Sequence, residues 1–137
     1  MGSGDACALS ASGSVSCWGW NHYGEDGSGT TAEQDTPVPT LGLSDATSIE
    51  VAATIGCAVH ATGTVSCWGD VDYGPPDYGA TPVPLPGLTG ITQVSVGNVH
   101  ACVLHDDGAV ACWGDDTWGE LGNGTTASSL VPVQVEL

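Results

Sequence analysis

The sequence predicts an all-β protein of three four-stranded, propeller-type blades, too few to close a ring alone. Three observations predict it. Six cysteines fall as three Cys-x9-Cys units, each followed at once by Trp-Gly: Cys7 and Cys17 before Trp18-Gly19, Cys57 and Cys67 before Trp68-Gly69, Cys102 and Cys112 before Trp113-Gly114. These units recur after 50 and then 45 residues, a repeat period typical of blade arrays. The chain holds 21 Gly and 8 Pro with no Phe, a composition suited to many short strands joined by turns.

Each Cys-x9-Cys unit reads as a β-hairpin. Directly opposed residues in an antiparallel pair have a constant index sum, and residues two apart share a face. Cys7/Cys17 and Leu9/Val15 have one sum, Cys57/Cys67 and Val59/Val65 another, and Cys102/Cys112 and Leu104/Val110 a third. Each hairpin therefore stacks a cysteine pair and an aliphatic pair on one face. Gly13, Gly63 and Gly108 lie just past the midpoints, where closing a short loop calls for a left-handed residue. Disulfides closing loops of this length contribute roughly 2.5–3 kcal/mol each in the chain-entropy model. Metal ligation is the rival reading, but metal cysteines usually come as Cys-x2-4-Cys pairs.

Ahead of the second and third hairpins stand apolar strands, Ile49 to Ala53 and Ile91 to Val96. A loop of about 18 residues rich in Gly, Asp and Thr follows each Trp-Gly. Proline-flanked segments come next, at Thr36-Pro37-Val38-Pro39, Thr81-Pro82-Val83-Pro84 and Val131-Pro132-Val133, and their prolines confine them to edge or irregular strands. A single repeat domain over 1–137 results, with repeats at about 1–48, 49–90 and 91–137. The first hairpin has no preceding apolar strand, so one blade edge is expected to be unpaired, a template for another chain. A fragment of a larger propeller, a six-bladed ring of two chains and an end-to-end filament all fit that edge.

The segment Gly97-Asn98-Val99-His100-Ala101-Cys102-Val103-Leu104, with Gly108, Val110-Ala111-Cys112-Trp113-Gly114 and Trp118-Gly119-Glu120-Leu121-Gly122-Asn123-Gly124-Thr125, resembles the repeat of the regulator of chromosome condensation family. The resemblance implies propeller blades, seven in family members generally, and the disulfide-bearing version is similar to secreted bacterial members. Only His100 keeps the His of Gly-x-x-His; Asp5 and Ile55 stand at the matching positions. The loop pattern becomes Tyr23-Gly24-Glu25-Asp26-Gly27 in the first repeat. The family's nucleotide-exchange and chromatin roles are not carried over to this acidic, oxidised chain.

The chain has 16 acidic residues and no Lys or Arg, where average composition gives about 15 basic residues. No side chain is available to neutralise phosphate, which excludes nucleic acid and anionic lipid as partners. Trypsin has no cleavage site. No stretch of 18 apolar residues is present, so no membrane insertion is expected. No signal-peptide pattern is present, so export, which the disulfides imply, requires a signal removed or upstream. Extracellular or secreted localisation is the expectation.

Trp18, Trp68 and Trp113 recur at one blade position and are expected to be structural, each indole bonded to a backbone carbonyl. The loop aromatics Trp20, Tyr23, Tyr73, Tyr78 and Trp118 are candidate assembly or ligand contacts, for a second chain, another protein or a glycan. Asp70, Asp72, Asp115 and Asp116 follow the Trp-Gly pairs and are candidate calcium ligands, although none matches a dedicated calcium loop. Glu25-Asp26 and Asp77 lie further along their loops. His60 and His105 occupy equivalent hairpin positions and read as surface residues. Asn123-Gly124-Thr125 fits both a glycosylation acceptor and a turn. No nucleophile elbow or Cys-His pair is visible, so no enzyme is expected. The functional expectation is a structural building block of an extracellular homo-oligomer or filament. The alternative is a secreted recognition module within a larger propeller.

Overall fold

The computed structural model describes residues 4–70 and 79–137 as eleven strands in three antiparallel sheets, with no helix among the described residues. The first sheet has the order β1 (Asp5–Leu9), β2 (Val15–Gly19), β3 (Gln34–Pro39). The second runs β4 (Ala46–Ala52), β5 (Ile55–His60), β6 (Val65–Gly69), β7 (Val83–Pro84). The third runs β8 (Ile91–Val96), β9 (His100–His105), β10 (Val110–Gly114), β11 (Ser129–Gln134). Two sheets thus have four strands and the first has three, because no strand precedes Asp5 among the described residues. Among the described residues the three sheets do not close into a ring.

The index sums give the hairpin registers. Cys7 faces Cys17 and Leu9 faces Val15; Cys57 faces Cys67 and Val59 faces Val65; Cys102 faces Cys112 and Leu104 faces Val110. All three cysteine pairs are disulfide-bonded with Cα atoms 4.1 Å apart. That spacing belongs to the non-hydrogen-bonded type of antiparallel pair, in which the two side chains approach most closely. Gly13, Gly63 and Gly108 have φ of 85°, 77° and 89° and close their turns by donating to Ser10, His60 and His105 carbonyls.

Proline limits the outer strands. β7 is only two residues long because Pro82, Pro84 and Pro86 cannot donate to the ladder. At the inner side, β4 begins at Ala46, three residues before the expected Ile49, and accommodates a register shift between Ala46 and Ser48.

Adjacent sheets share their cores. Val15, Cys17 and Leu43 pack with Val51, Ala58 and Trp68 between the first and second sheets. Cys57, Val59 and Val65 pack with Ile91, Val103 and Trp113 between the second and third. Each core therefore joins the cysteine-and-aliphatic face of one sheet to the Trp-bearing face of the next. The hairpin turns link the sheets too: Ala46 N–H donates to Gly13 at 3.0 Å and Ile91 N–H to Gly63 at 2.9 Å. β4 packs against both β1 and β8, which puts β4 and β8 at the inner side of the array.

Candidate protein-interaction surface

The first strand carries one edge of the first sheet. Cys7 belongs to a non-hydrogen-bonded pair, so its N–H and C=O point away from β2, and by alternation so do those of Asp5 and Leu9. Among the described residues β1 pairs with β2 alone. A groove of about 210 Å3 runs along this edge, between Asp5, Ala6 and Cys7 on one side and Ile49, Glu50 and Val51 on the other. In the second sheet the corresponding edge of β5 is paired with β4, Cys57 opposite Glu50.

A second groove, of about 510 Å3, lies on the Trp-bearing face of the same sheet, between Trp18, Trp20, Glu33, Gln34 and Asp35. Trp18 is half-buried there, whereas Trp68 and Trp113 have no exposed surface. Trp68 Nε1 donates to the Glu25 carbonyl at 2.6 Å, so the expected indole–carbonyl bond reaches across to the preceding repeat's loop. Trp20 stacks on His22 at 4.2 Å between ring centroids, with Tyr23 tilted beside it at 5.7 Å. Trp20, Tyr23 and Trp118 are all exposed, Trp118 by 87%. Tyr73, Tyr78, Asp72 and Asp77 lie outside the described residues.

The first and third loops share one internal frame. Asn21 Oδ1 accepts from Asp26 N–H at 2.9 Å, and Asp116 Oδ1 from Leu121 N–H at 2.8 Å. Glu25 and Glu120 accept from Tyr23 and Trp118 N–H, both at 2.8 Å. Asp116 is therefore a buried loop brace. Asp115 is held by the Thr117 and Ser128 hydroxyls, which keep its carboxyl below the usual range. Asp70 is half-buried at the end of β6, its N–H donating to the Thr54 carbonyl at 2.9 Å. Thr125 Oγ1 donates to Asn123 Oδ1 at 2.9 Å, the geometry of a turn. Among the described residues no group of three His, Cys, Asp or Glu comes together as a metal site.

The shared frame exposes an anomaly in the first repeat. Asp26 stands where the third repeat has Leu121, and both side chains have no exposed surface. Neither Asp26 oxygen has a hydrogen-bond partner, and Glu25 Oε1 and Asp5 Oδ2 are likewise buried without one. Burial, then the charges of Asp5 and Glu25, push the Asp26 carboxyl up to about 6. Burial also raises Glu25. Comparing Asp26 with Leu121, and Asp5 with Ile55, was the sequence signal for this cluster.

His60 differs from a simple surface residue. His60 Nδ1 lies 2.6 Å from Asp45 Oδ1 and its Nε2 lies 2.8 Å from Ser66 Oγ, bridging the start of β4 to the hairpin. The hydrogen bond to His60 holds the Asp45 carboxyl below its usual range. His105 Nδ1 lies 3.1 Å from the Thr89 carbonyl.

Similarity to known proteins agrees with this architecture. The chain is similar in structure to human WBSCR16, with a TM-score of 0.86 and 22% identity over 99% of this chain and 36% of that one. It is similar to Prp20p from Saccharomyces cerevisiae, a protein with binding properties to Gsp1p and histones, with a TM-score of 0.88 and 20% identity over 100% of this chain and 37% of that one. Yeast RCC1 (Prp20) bound to Kap60 gives a TM-score of 0.86 at 20% identity, covering 100% and 36%. The chain thus spans little more than a third of the length of these proteins, and at such identities the likeness establishes the fold. No curated protein is a significant match. Two family models described as Regulator of chromosome condensation (RCC1) repeat match, one over residues 1–25 and 91–120 and the other over 107–137. The Cys-Trp-Gly hairpins, the braced loops and these matches agree: the chain belongs to the regulator of chromosome condensation repeat family.

Proposed function

We propose that this chain is a non-catalytic protein-interaction unit, a building block of an extracellular homo-oligomer or filament of propeller-type repeats. The unpaired edge of β1 carries the reading. Its outward N–H and C=O groups, with the groove between Asp5–Cys7 and Ile49–Val51 alongside, suit a strand added from another chain. The three disulfides support an oxidising, extracellular setting. Calcium, at Asp70 or elsewhere on this acidic surface, serves in this reading to screen carboxylates between units.

Light scattering and negative-stain microscopy of the purified chain, with calcium and then with chelator, test it. Oligomers or filaments are expected, and a monomer in both conditions overturns it. Leu9→Pro removes one outward N–H from the β1 edge while sparing the β1–β2 ladder. It should weaken assembly, and unchanged assembly would exclude the edge.

The 87% exposure of Trp118 favours a second reading, a secreted recognition module that holds a protein or glycan through its loops. A monomer that binds glycans or secreted proteins, and loses them on Trp118→Ala, is its signature.

A further inference from the structure

We propose that the two outer faces of this array are complementary, so that the chain stacks head to tail on a second copy of itself. Trp18 of one copy then seats against the 120–122 turn of the next. The inference rests on the assembly reading above and adds a face-to-face joint to the β1 edge.

The joint between the first and second sheets is the template. There, Trp68 Nε1 donates to the Glu25 carbonyl at 2.6 Å. The indole lies over Gly27, where an added Cβ would stand 3.1 Å from Nε1. Gly24 abuts Ala80, and Gly29 N–H donates to the Ala80 carbonyl at 2.7 Å. Every partner in this joint has a counterpart on an outer face. Glu120, Gly122, Gly119 and Gly124 in the third repeat correspond to Glu25, Gly27, Gly24 and Gly29. Trp18 and Asp35 in the first repeat correspond to Trp68 and Ala80.

The third loop has the shape the template requires. Its two bracing bonds match those of the first loop, and Glu136 N–H donates to Gly122 at 2.9 Å as Leu41 N–H does to Gly27. The loop is also open. A Cβ on Gly119 would meet nothing within 4 Å, and one on Gly122 would meet only Val135. On the same face Leu104 and Val110 are half-buried, although their counterparts Val59 and Val65 are fully buried under the third sheet. The opposite outer face presents Trp18 in the groove lined by Gln34 and Asp35. One face offers a carbonyl turn and an aliphatic pair, and the other offers the indole that fits such a turn inside the chain. The pairing is heterologous, so it propagates into an open array or closes into a ring according to its rotation.

Charge opposes the joint. Asp35 and Glu136 stand where the internal joint has Ala80 and Leu41, and each copy carries 16 acidic residues and no Lys or Arg. Such repulsion is screened as the Debye length shrinks from about 8 Å at 0.15 M salt to about 3 Å at 1 M. Association should therefore strengthen with salt, opposite to an interface held by ion pairs.

Sedimentation of the full chain and of three variants at low and high salt tests the proposal. Trp18→Ala disables one face, and Leu104→Glu disables the other. Each alone should weaken association by at least about 10-fold, as expected for removing a central anchor. An equimolar mixture should associate more tightly than either variant alone, because it retains one intact joint per pair. Asp35→Ala, an exposed site that recreates the internal Ala80, should tighten association by roughly 3-fold or more through loss of like-charge repulsion. Assembly that Trp18→Ala leaves unchanged would overturn this joint while the β1-edge reading stands. Mixed variants that stay monomeric, or no gain from Asp35→Ala, would also overturn it. A wild-type chain monomeric at every salt concentration would overturn both readings.

Discussion

Replacing Asp26 by Leu should stabilise the protein at neutral pH and lessen an unusual pH dependence. Asp26 is buried within the first repeat, with both oxygens unpartnered and with Asp5 and Glu25 nearby. Its carboxyl has an ordinary value of 3.8 and is pushed up to about 6 in the fold. An acid raised on folding binds its proton more tightly in the native state. Its stabilising contribution is therefore complete below pH 3.8 and is lost as pH rises through about 6. At 1.36 kcal/mol per pH unit the difference amounts to about 3 kcal/mol, which solvent screening under a single loop reduces to about 1–3 kcal/mol. Asp45 and Asp115, held below their usual range by hydrogen bonds, act in the opposite sense, losing their contribution as pH falls. They are present in both proteins, so the difference between wild type and Asp26→Leu isolates Asp26. Urea unfolding at intervals from pH 4 to pH 7 is the assay. Wild-type stability should fall relative to the variant as pH rises, with the gap opening between pH 4 and 6. The same pH slope in both proteins would refute the reasoning.

Other outcomes follow from the packing. Gly27→Ala should destabilise by about 1–3 kcal/mol by thermal melting, because φ is +63° and the added Cβ would lie 2.6 Å from Thr40 Cγ2 and 3.1 Å from Trp68 Nε1. The same change at Gly119, where φ is +83° but nothing lies within 4 Å, should incur only the smaller backbone cost of about 1 kcal/mol. Thiol reductant should lower the melting temperature sharply, since each hairpin disulfide contributes roughly 2.5–3 kcal/mol; an unchanged melting curve would strip the disulfides of energetic weight.

The sequence by itself determined the hairpins. Cross-strand registers followed from index sums because antiparallel pairing is a local constraint, and the Cys-Trp-Gly spacing located all three units. The repeat family, the all-β class and the first edge, unpaired among the described residues, were legible for the same reason, since each depends on residues near in sequence. Burial was not legible. Glu25 and Asp26 read as loop carboxylates suited to cations, yet both are fully buried, and Trp68, 43 residues from Glu25, reaches from the next sheet to bond the Glu25 carbonyl. His60 read as a surface residue, yet Asp45, 15 residues upstream, and Ser66 clasp both its ring nitrogens. The difference between Trp18 and its two equivalents was equally hidden. One residue type at one repeat position is half-buried in the first sheet and fully buried in the others, because only the neighbouring sheet supplies a carbonyl and an apolar face to cover it. Local pairing rules wrote the blades, and contact between blades decided which of their polar and aromatic groups meet water.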